Sequence, residues 1–427
     1  MTDTVTQLNA ADTAWMLVAT ALVLLMTPAL AFFYGGLVRA KNALNTMMMS
    51  VASLGVIGVL WLVIGYSLAF GPAAGFSGGG GFALLRTVGL EPRGSIPHLL
   101  FFAYQGTFAV ITAALISGAI VERMRFGAYL VFIALWSLCV YAPIAHWVWG
   151  GGWLARLGAL DFAGGTVVHA NAGVAALVAA LVLGPRKDYG RQALLPHNVP
   201  FVLLGAALLW FGWFGFNAGS ALGANAQAAL AFVNTMLAPM GTLAVWMGLD
   251  LVRTRRVTAV GAATGIVVGL VAVTPAAGFV GPTSAVLLGA IAALPSYFAL
   301  LWRSRTRLDD SLDVVAAHGL GGTIGALLTG VFAAAVWGGT DGLLSGNAAL
   351  VGKQAVAVLA TLVYSAALTW VLLKLVDRVV PLRVGRREEA VGVDVHQHGE
   401  EAYSSGEGAI LVIAEPDAAQ RERSAEA

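Results

Sequence analysis

Apolar residues run in long blocks along almost the whole chain, and polar residues collect between them. A membrane-spanning helix needs about 20 mostly apolar residues. By that window the pattern predicts eleven helices, near residues 13–37, 44–70, 98–121, 126–148, 165–183, 199–218, 224–249, 257–274, 283–302, 312–332 and 353–376. Turns and caps punctuate them: Gly71–Pro72, Gly184–Pro185, Gly281–Pro282, and Asp310–Ser311 ahead of the tenth. Pro28, Pro143 and Pro239 fall inside blocks, where a kink is tolerated if neighbours satisfy the freed backbone groups. The fold class expected is an all-α polytopic membrane protein.

The basic residues between the blocks alternate in density. The odd-numbered loops carry Arg39 and Lys41; Arg123 and Arg125; Arg186, Lys187 and Arg191; Arg253, Arg255 and Arg256; and Arg303, Arg305 and Arg307. The tail adds Lys374, Arg378, Arg383, Arg386, Arg387, Arg421 and Arg423. Of 24 Lys and Arg, only Arg86, Arg93, Arg156 and Lys353 lie on the other side. Excess Lys and Arg mark cytoplasmic loops, so the N-terminus is expected outside and the C-terminus in the cytoplasm. Eleven crossings agree, because an odd number puts the two ends on opposite faces. A cleaved signal peptide ending at Ala29-Leu30-Ala31 is a competing reading. Asp3 and Asp12, with no Lys or Arg ahead of the block, argue against it.

Composition narrows the class further. The chain of 427 residues is 59% hydrophobic and 11% charged, against about 25% charged in an average soluble domain. That excludes an ordinary soluble enzyme, a disordered chain and a nucleic-acid binder with a basic surface. One cysteine, Cys139, excludes an internal disulfide and a cysteine-based metal site within one chain. The 53 glycines suit helices that approach closely in a membrane.

Two segments resemble each other. His169-Ala-Asn-Ala-Gly173-Val-Ala-Ala176 and His318-Gly-Leu-Gly-Gly322-Thr-Ile-Gly325 each place small residues four and seven positions after a histidine, on one helix face. By the loop charges the two helices run in opposite directions, five segments apart. That is the pattern of an inverted-topology repeat, whose binding sites lie near the bilayer midplane. Ionisable groups inside spans are functional candidates, and His169 and His318 sit well inside theirs. Two imidazoles suit proton relay or hydrogen bonding to a small polar solute better than a structural zinc site, which takes four ligands. Unrelated histidines bonded to backbone carbonyls are the alternative. Phe108, Trp149, Trp213, Phe216 and Ser220 all fall in the outer half of their segments. Aromatic faces with a hydroxyl suit a small cation, and an interfacial aromatic belt is the alternative.

Six runs carry a family resemblance. They are Phe33-Tyr-Gly-Gly-Leu-Val-Arg39-Ala-Lys-Asn42, Gln105-Gly-Thr-Phe108-Ala, Ala145-His-Trp-Val-Trp149-Gly-Gly-Gly152, Leu160-Asp161-Phe-Ala-Gly-Gly-Thr-Val-Val-His169, Gly212-Trp213-Phe-Gly-Phe216-Asn-Ala-Gly-Ser220 and Asp394-Val-His-Gln-His-Gly-Glu-Glu-Ala-Tyr403. Over residues 12–403 or so the chain resembles the ammonium transporter (Amt/Mep/Rh) family, in its bacterial Amt branch. The resemblance implies eleven spans, an inverted five-plus-five repeat and a homotrimer with one pore per subunit. It implies a membrane domain over 1–380, with halves near 13–183 and 199–332 and an extra helix near 353–376. A cytoplasmic regulatory tail would occupy 381–427.

By matching motif, Trp149, Phe108 and Ser220 look like an outer recruitment site for ammonium. Phe108 and Phe216 look like the gate beneath it. His169 and His318 look like the twin-histidine pair in the pore, with Trp213 beside them. Asp161 looks like structural and electrostatic support, in preference to a direct proton acceptor, and as a helix cap. Implied partners are ammonium or ammonia, methylammonium, the lipid bilayer, two further copies and a PII-type signalling protein at the inner face. No cofactor, metal or nucleic acid is implied.

Transport in the cytoplasmic membrane is therefore the expectation. A neutral ammonia channel and an ammonium sensor acting through the tail are the alternatives. A histidine-metal membrane enzyme lacks carboxylates within the spans to complete a ligand set. The Trp149 and Ser220 pair favours the ammonium-recruiting branch over a Rh-like gas channel. Three features depart from the family. Tyr104 stands where phenylalanine is usual, Leu312 replaces a frequent cysteine, and the chain continues past Tyr403 through the apolar run 408–414.

Overall fold

The computed structural model describes residues 7–72 and 75–403. The extension beyond Tyr403, with its apolar run and with Arg421 and Arg423, lies outside the described residues, as does Asp3. Each of the eleven apolar blocks forms a helix. They are α1 (Ala10–Leu37), α2 (43–70), α3 (His98–Ser117), α4 (126–148), α5 (Gly165–Leu183), α6 (Val199–Ala218), α7 (Ala226–Thr254), α8 (Ala259–Val273), α9 (Pro282–Arg303), α10 (Val315–Phe332) and α11 (Ala349–Val379). Among the described residues, ten helices are long and apolar enough to cross a membrane, and α8 is a shorter apolar one. Two short tail helices, α12 (Arg386–Val391) and α13 (Val393–His398), follow.

The eighth block forms a helix within two residues of its predicted bounds, and at 15 residues it is the shortest of the eleven. Thr258 starts α8 by accepting the Gly261 N–H at 3.1 Å. The helix stops at Val273 because Pro275, which has no N–H to donate, opens a turn. That turn packs over the start of α5: Pro275 O accepts the Phe162 N–H at 3.1 Å.

Helix α1 lies along α6, α7 packs on α8 and α9, and α5 and α10 both lean on α11. Helices α5 and α10 cross at very short range. A Cβ on Gly173 would sit 2.2 Å from Gly319 Cα, and one on Gly322 would sit 2.7 Å from Gly165 O. Small residues here let two backbones touch. Gly173→Ala is therefore expected to cost about 1–3 kcal/mol through overpacking. The measurement is the thermal unfolding midpoint of the detergent-solubilised protein, and an unchanged midpoint would mean the crossing tolerates the extra methyl.

The odd-numbered loops and the tail meet on one face. Glu122 accepts from Arg39 Nε at 2.9 Å and Asn42 Nδ2 at 2.6 Å, and it pairs with Arg186. Arg186 also grips Asp309 at 2.8 Å. Burial alone would raise the Glu122 carboxyl. The guanidiniums of Arg186 and Arg39 outweigh it and hold Glu122 below the usual carboxylate range.

The tail docks onto this face, where a solvated polar segment is the simple expectation for so charged a stretch. Asp394 accepts the Leu44 and Asn45 N–H groups at 3.0 and 2.8 Å. His398 Nε2 lies 3.0 Å from Asn45 Oδ1, and Tyr403 OH lies 2.9 Å from His197 Nε2. Lys41 donates to Ala390 O. On the opposite face Asn9 N–H meets Ser95 O at 2.8 Å, which sets the N-terminal end beside the second loop.

Candidate functional site

A line of rings runs from the face with few basic residues to the centre of the bundle. At its mouth is a cavity of about 270 Å³ lined by Phe70, Phe101, Phe108, Trp149, Phe162 and Ser220, among others. Trp149 meets Phe108 edge-on, with centroids 5.9 Å apart. Below, Phe108 and Phe216 stack at 4.2 Å and 30°. His169 stacks under Phe216 at 5.8 Å and beside Trp213 at 5.4 Å. His169 Nδ1 then faces His318 Nδ1 at 3.2 Å. The structure thus brings Trp149, Phe108, Ser220, Phe216, Trp213, His169 and His318 into one column.

Local structure explains how the histidines get there. Asp161 Oδ1 accepts the N–H groups of Gly164 and Gly165 at 2.8 and 2.7 Å. Its Oδ2 accepts those of Thr166 and Val167 at 2.9 and 3.0 Å. Those are the orphan donors of a helix start, gathered on one carboxylate. Gly164 at φ +115° makes the entry turn, where a Cβ would strike Val168. The helix then begins with a widened turn: His169 N–H reaches back five residues to Gly164 O at 3.0 Å. Such π-type turns often occur at functional sites.

Helix α10 repeats the arrangement. Asp310 accepts from Val314 and Val315 N–H at 3.1 and 2.7 Å, and a π-type turn carries His318. Both segments thus read Asp, seven residues, His, three residues, Gly. The expectation singled out the histidines and glycines but not the shared aspartate, although the spacing is visible in the chain.

The space between the histidines is small and apolar. A cavity of about 10 Å³ is lined by Leu30, Ile111, Leu115, Trp213 and the two histidines, among others. That is at the lower limit for a single water, which needs roughly 10–15 Å³. No hydrated ion fits. His169 Nε2 is buried and has no partner among the described residues. The two Nδ1 atoms share one hydrogen bond, so one ring donates and the other accepts. Each ring then presents an Nε2 of the opposite character. The alternative of two unrelated histidines bonded to carbonyls does not describe this contact.

Three further groups support the column. Tyr104 is fully buried and its hydroxyl lies 2.9 Å from both Gly215 O and Phe216 O and 3.3 Å from Ser220 Oγ. It ties the Phe216 backbone to the Ser220 hydroxyl. Trp149 Nε1 donates to Asp161 O at 2.9 Å, so the outer indole and the helix-capping loop hold each other. Trp213 Nε1 donates to Thr274 Oγ1 at 2.9 Å. His146, a buried histidine that the sequence pattern did not separate from the end of α4, lies with Nδ1 3.1 Å from Ala69 O, away from the column. No group of three or more metal-ligating side chains occurs among the described residues.

Comparison with known proteins gives one answer. The model of the Ammonium Transporter Family matches residues 14–403. An ammonium transporter of Bacillus subtilis is 48% identical over 398 residues, covering 92% of this chain and 98% of that protein. One from Aquifex aeolicus is 51% identical over 403 residues, covering 93% and 94%. The crystal structure of Saccharomyces cerevisiae Mep2 superposes with a TM-score of 0.87 at 38% identity, covering 96% of this chain and 94% of that one.

Proposed function

The chain belongs to the ammonium transporter family, a family of multi-pass membrane transporters rather than enzymes, and on that premise we propose that it carries ammonium inward across the cytoplasmic membrane. The observation that carries the reading is the column from Trp149 to His318, sealed by stacked rings and ending in a cavity of about 10 Å³.

Ammonium is recruited at Trp149, Phe108 and Ser220. Cation–π contact offers about 0.5–2 kcal/mol or more as the site dries. The bare ion faces a far larger cost below the gate, ideally of order 20 kcal/mol for a small ion in low dielectric and less after relaxation. Ammonium has an escape that potassium and sodium lack: it sheds a proton. Neutral ammonia then slips past Phe108 and Phe216, hydrogen-bonds in turn to His169 and His318 beside Trp213, and is protonated again inside. The proton crosses separately along the histidine pair, which makes transport electrogenic. Asp161 serves as support, because its four N–H bonds commit both oxygens to the start of α5.

The density of Arg and Lys on the tail-bearing face supports placing that face in the cytoplasm. Residues 1–380 act as the membrane domain in a homotrimer, and the tail from 381 as its regulator, reporting to a PII-type protein. The docking of Asp394 and His398 onto the start of α2 supports that role. A solved structure titled "Sensor Amt Protein", 30% identical with a TM-score of 0.85, makes sensing the second reading to test.

The test is ammonium-evoked current in proteoliposomes, with potassium as control. Saturable ammonium current and no potassium current are expected. Silence with ammonia entry reported by a pH dye would mean a neutral channel, and silence in both a sensor. Trp149→Leu and Ser220→Ala are each expected to raise the KM for ammonium roughly 3–30-fold, the worth of one such contact, with maximal current little changed. Wild-type KM in both would remove the outer site from the reading.

A further inference from the structure

The outer cavity is larger than its small guest requires. At about 270 Å³ it exceeds several-fold the ~30 Å³ share of a water-sized molecule. Five aromatic side chains line it: Phe70, Phe101, Phe108, Trp149 and Phe162. A cage of that kind is the usual receptor for alkylated ammonium ions. On its chemistry alone the vestibule invites bulky organic cations that the gate beneath could never pass.

Arg93 changes that balance. It lies on a short hairpin of β1 (Pro92–Arg93) and β2 (Ile96–Pro97) just outside α3. Its guanidinium carbon sits 4.2 Å from the centroid of Phe101 and 5.6 Å from that of Phe70. The two rings meet edge-on at 5.1 Å. The guanidinium is held from behind, with NH1 3.1 Å from Tyr66 OH and 3.0 Å from His98 Nε2. His98 in turn presents Nδ1 to Glu91 at 3.2 Å. Among the described residues no carboxylate pairs with Arg93 itself, so its charge is not neutralised by contact.

Arg93 is not among the residues that line the cavity, so two rings of the cage are engaged by a resident cation from outside it. A second cation on either face of Phe101 would meet unit-charge repulsion about as large as the attraction one ring offers. Among the described residues Arg93 makes its ring contacts with Phe101 and Phe70 alone, so the end formed by Trp149, Phe108 and Ser220 stays available. We propose that Arg93 is a specificity-determining residue of the outer vestibule: by occupying Phe101 and Phe70 it denies the aromatic cage to alkylated ammonium ions and leaves the small-cation end to ammonium. The inference rests on the outer vestibule being the entry for cations.

The experiment titrates external tetramethylammonium against ammonium-evoked current in proteoliposomes of the full chain, each variant held at its own KM for ammonium. Arg93→Gln removes the charge and keeps a side chain able to bond His98. It is expected to become roughly tenfold more sensitive to block, the worth of one freed ring. The gain should vanish in the double variant R93Q/F101L. Unchanged sensitivity in R93Q overturns the proposal, as does a gain that survives in the double variant. Phe101→Leu alone gives a test independent of any Arg93 variant. With the ring already covered its loss should leave tetramethylammonium sensitivity within twofold of wild type, and a marked fall would overturn the proposal. Failure of the outer-site reading looks different: it is wild-type ammonium KM in Trp149→Leu and Ser220→Ala, whatever tetramethylammonium does.

Discussion

Ammonium-evoked current in the His318→Ala variant is expected to fall by on the order of 10²-fold or more, the usual worth of a positioned acid–base group. The reason is the single hydrogen bond between the Nδ1 atoms of His169 and His318. Each ring fixes the other's tautomer, and the pair offers one Nε2 that donates and one that accepts. Alanine removes one ring and leaves His169 buried with neither nitrogen partnered. If water instead fills the space, potassium begins to carry current, because the apolar cavity of about 10 Å³ no longer excludes a hydrated ion. A variant that keeps both wild-type ammonium current and wild-type potassium rejection would end the relay role. His169→Ala should behave alike, with the added loss of stacking under Phe216 and beside Trp213.

The second large effect concerns Asp161. Its carboxylate accepts four N–H groups at 2.7–3.0 Å at the start of α5. Hydrogen bonds to a charged acceptor contribute about 1.5–3 kcal/mol each, and they are not additive. Asp161→Ala leaves four buried donors unmet and is expected to cost about 3–5 kcal/mol of stability. Asn keeps one acceptor oxygen and should lose less. The measurement is the unfolding midpoint in detergent, read beside transport. A variant that keeps wild-type stability but loses current would move Asp161 from support to proton acceptor. Trp149 is drawn into the same effect, since its indole N–H bonds to the Asp161 carbonyl. A displaced loop should therefore raise the ammonium KM as well.

Much of this architecture was legible from local features. A bilayer acts on each segment separately, so a run of about 20 apolar residues reports a span whatever else the chain contains. The eighth run, 257–274, matches its helix within two residues, and Pro275 lies just past the end of both. The motifs around Trp149, Asp161, His169 and Ser220 named the column's members. The aspartate of the second half, Asp310, was equally visible at the same spacing ahead of His318. It was read as a cap and not matched with Asp161, because an acid just before an apolar block reads first as a simple cap.

The sequence by itself determined the number and place of the apolar helices, the gathering of the basic loops on one face, and which rings and imidazoles form the column. Only the tertiary structure decided how they meet. The 3.2 Å contact of the histidines depends on two glycine-lined helices touching at Gly173 and Gly319, residues 146 positions apart in the chain. The tail reads as a polar segment until Asp394 is seen capping α2. Arg93 reads as one of four basic residues on the sparse face until its guanidinium is found over Phe101. The physical reason is the same in each case. Burial in a membrane is a property of a segment's own composition, whereas contacts between segments follow from close packing of side chains that no local pattern records.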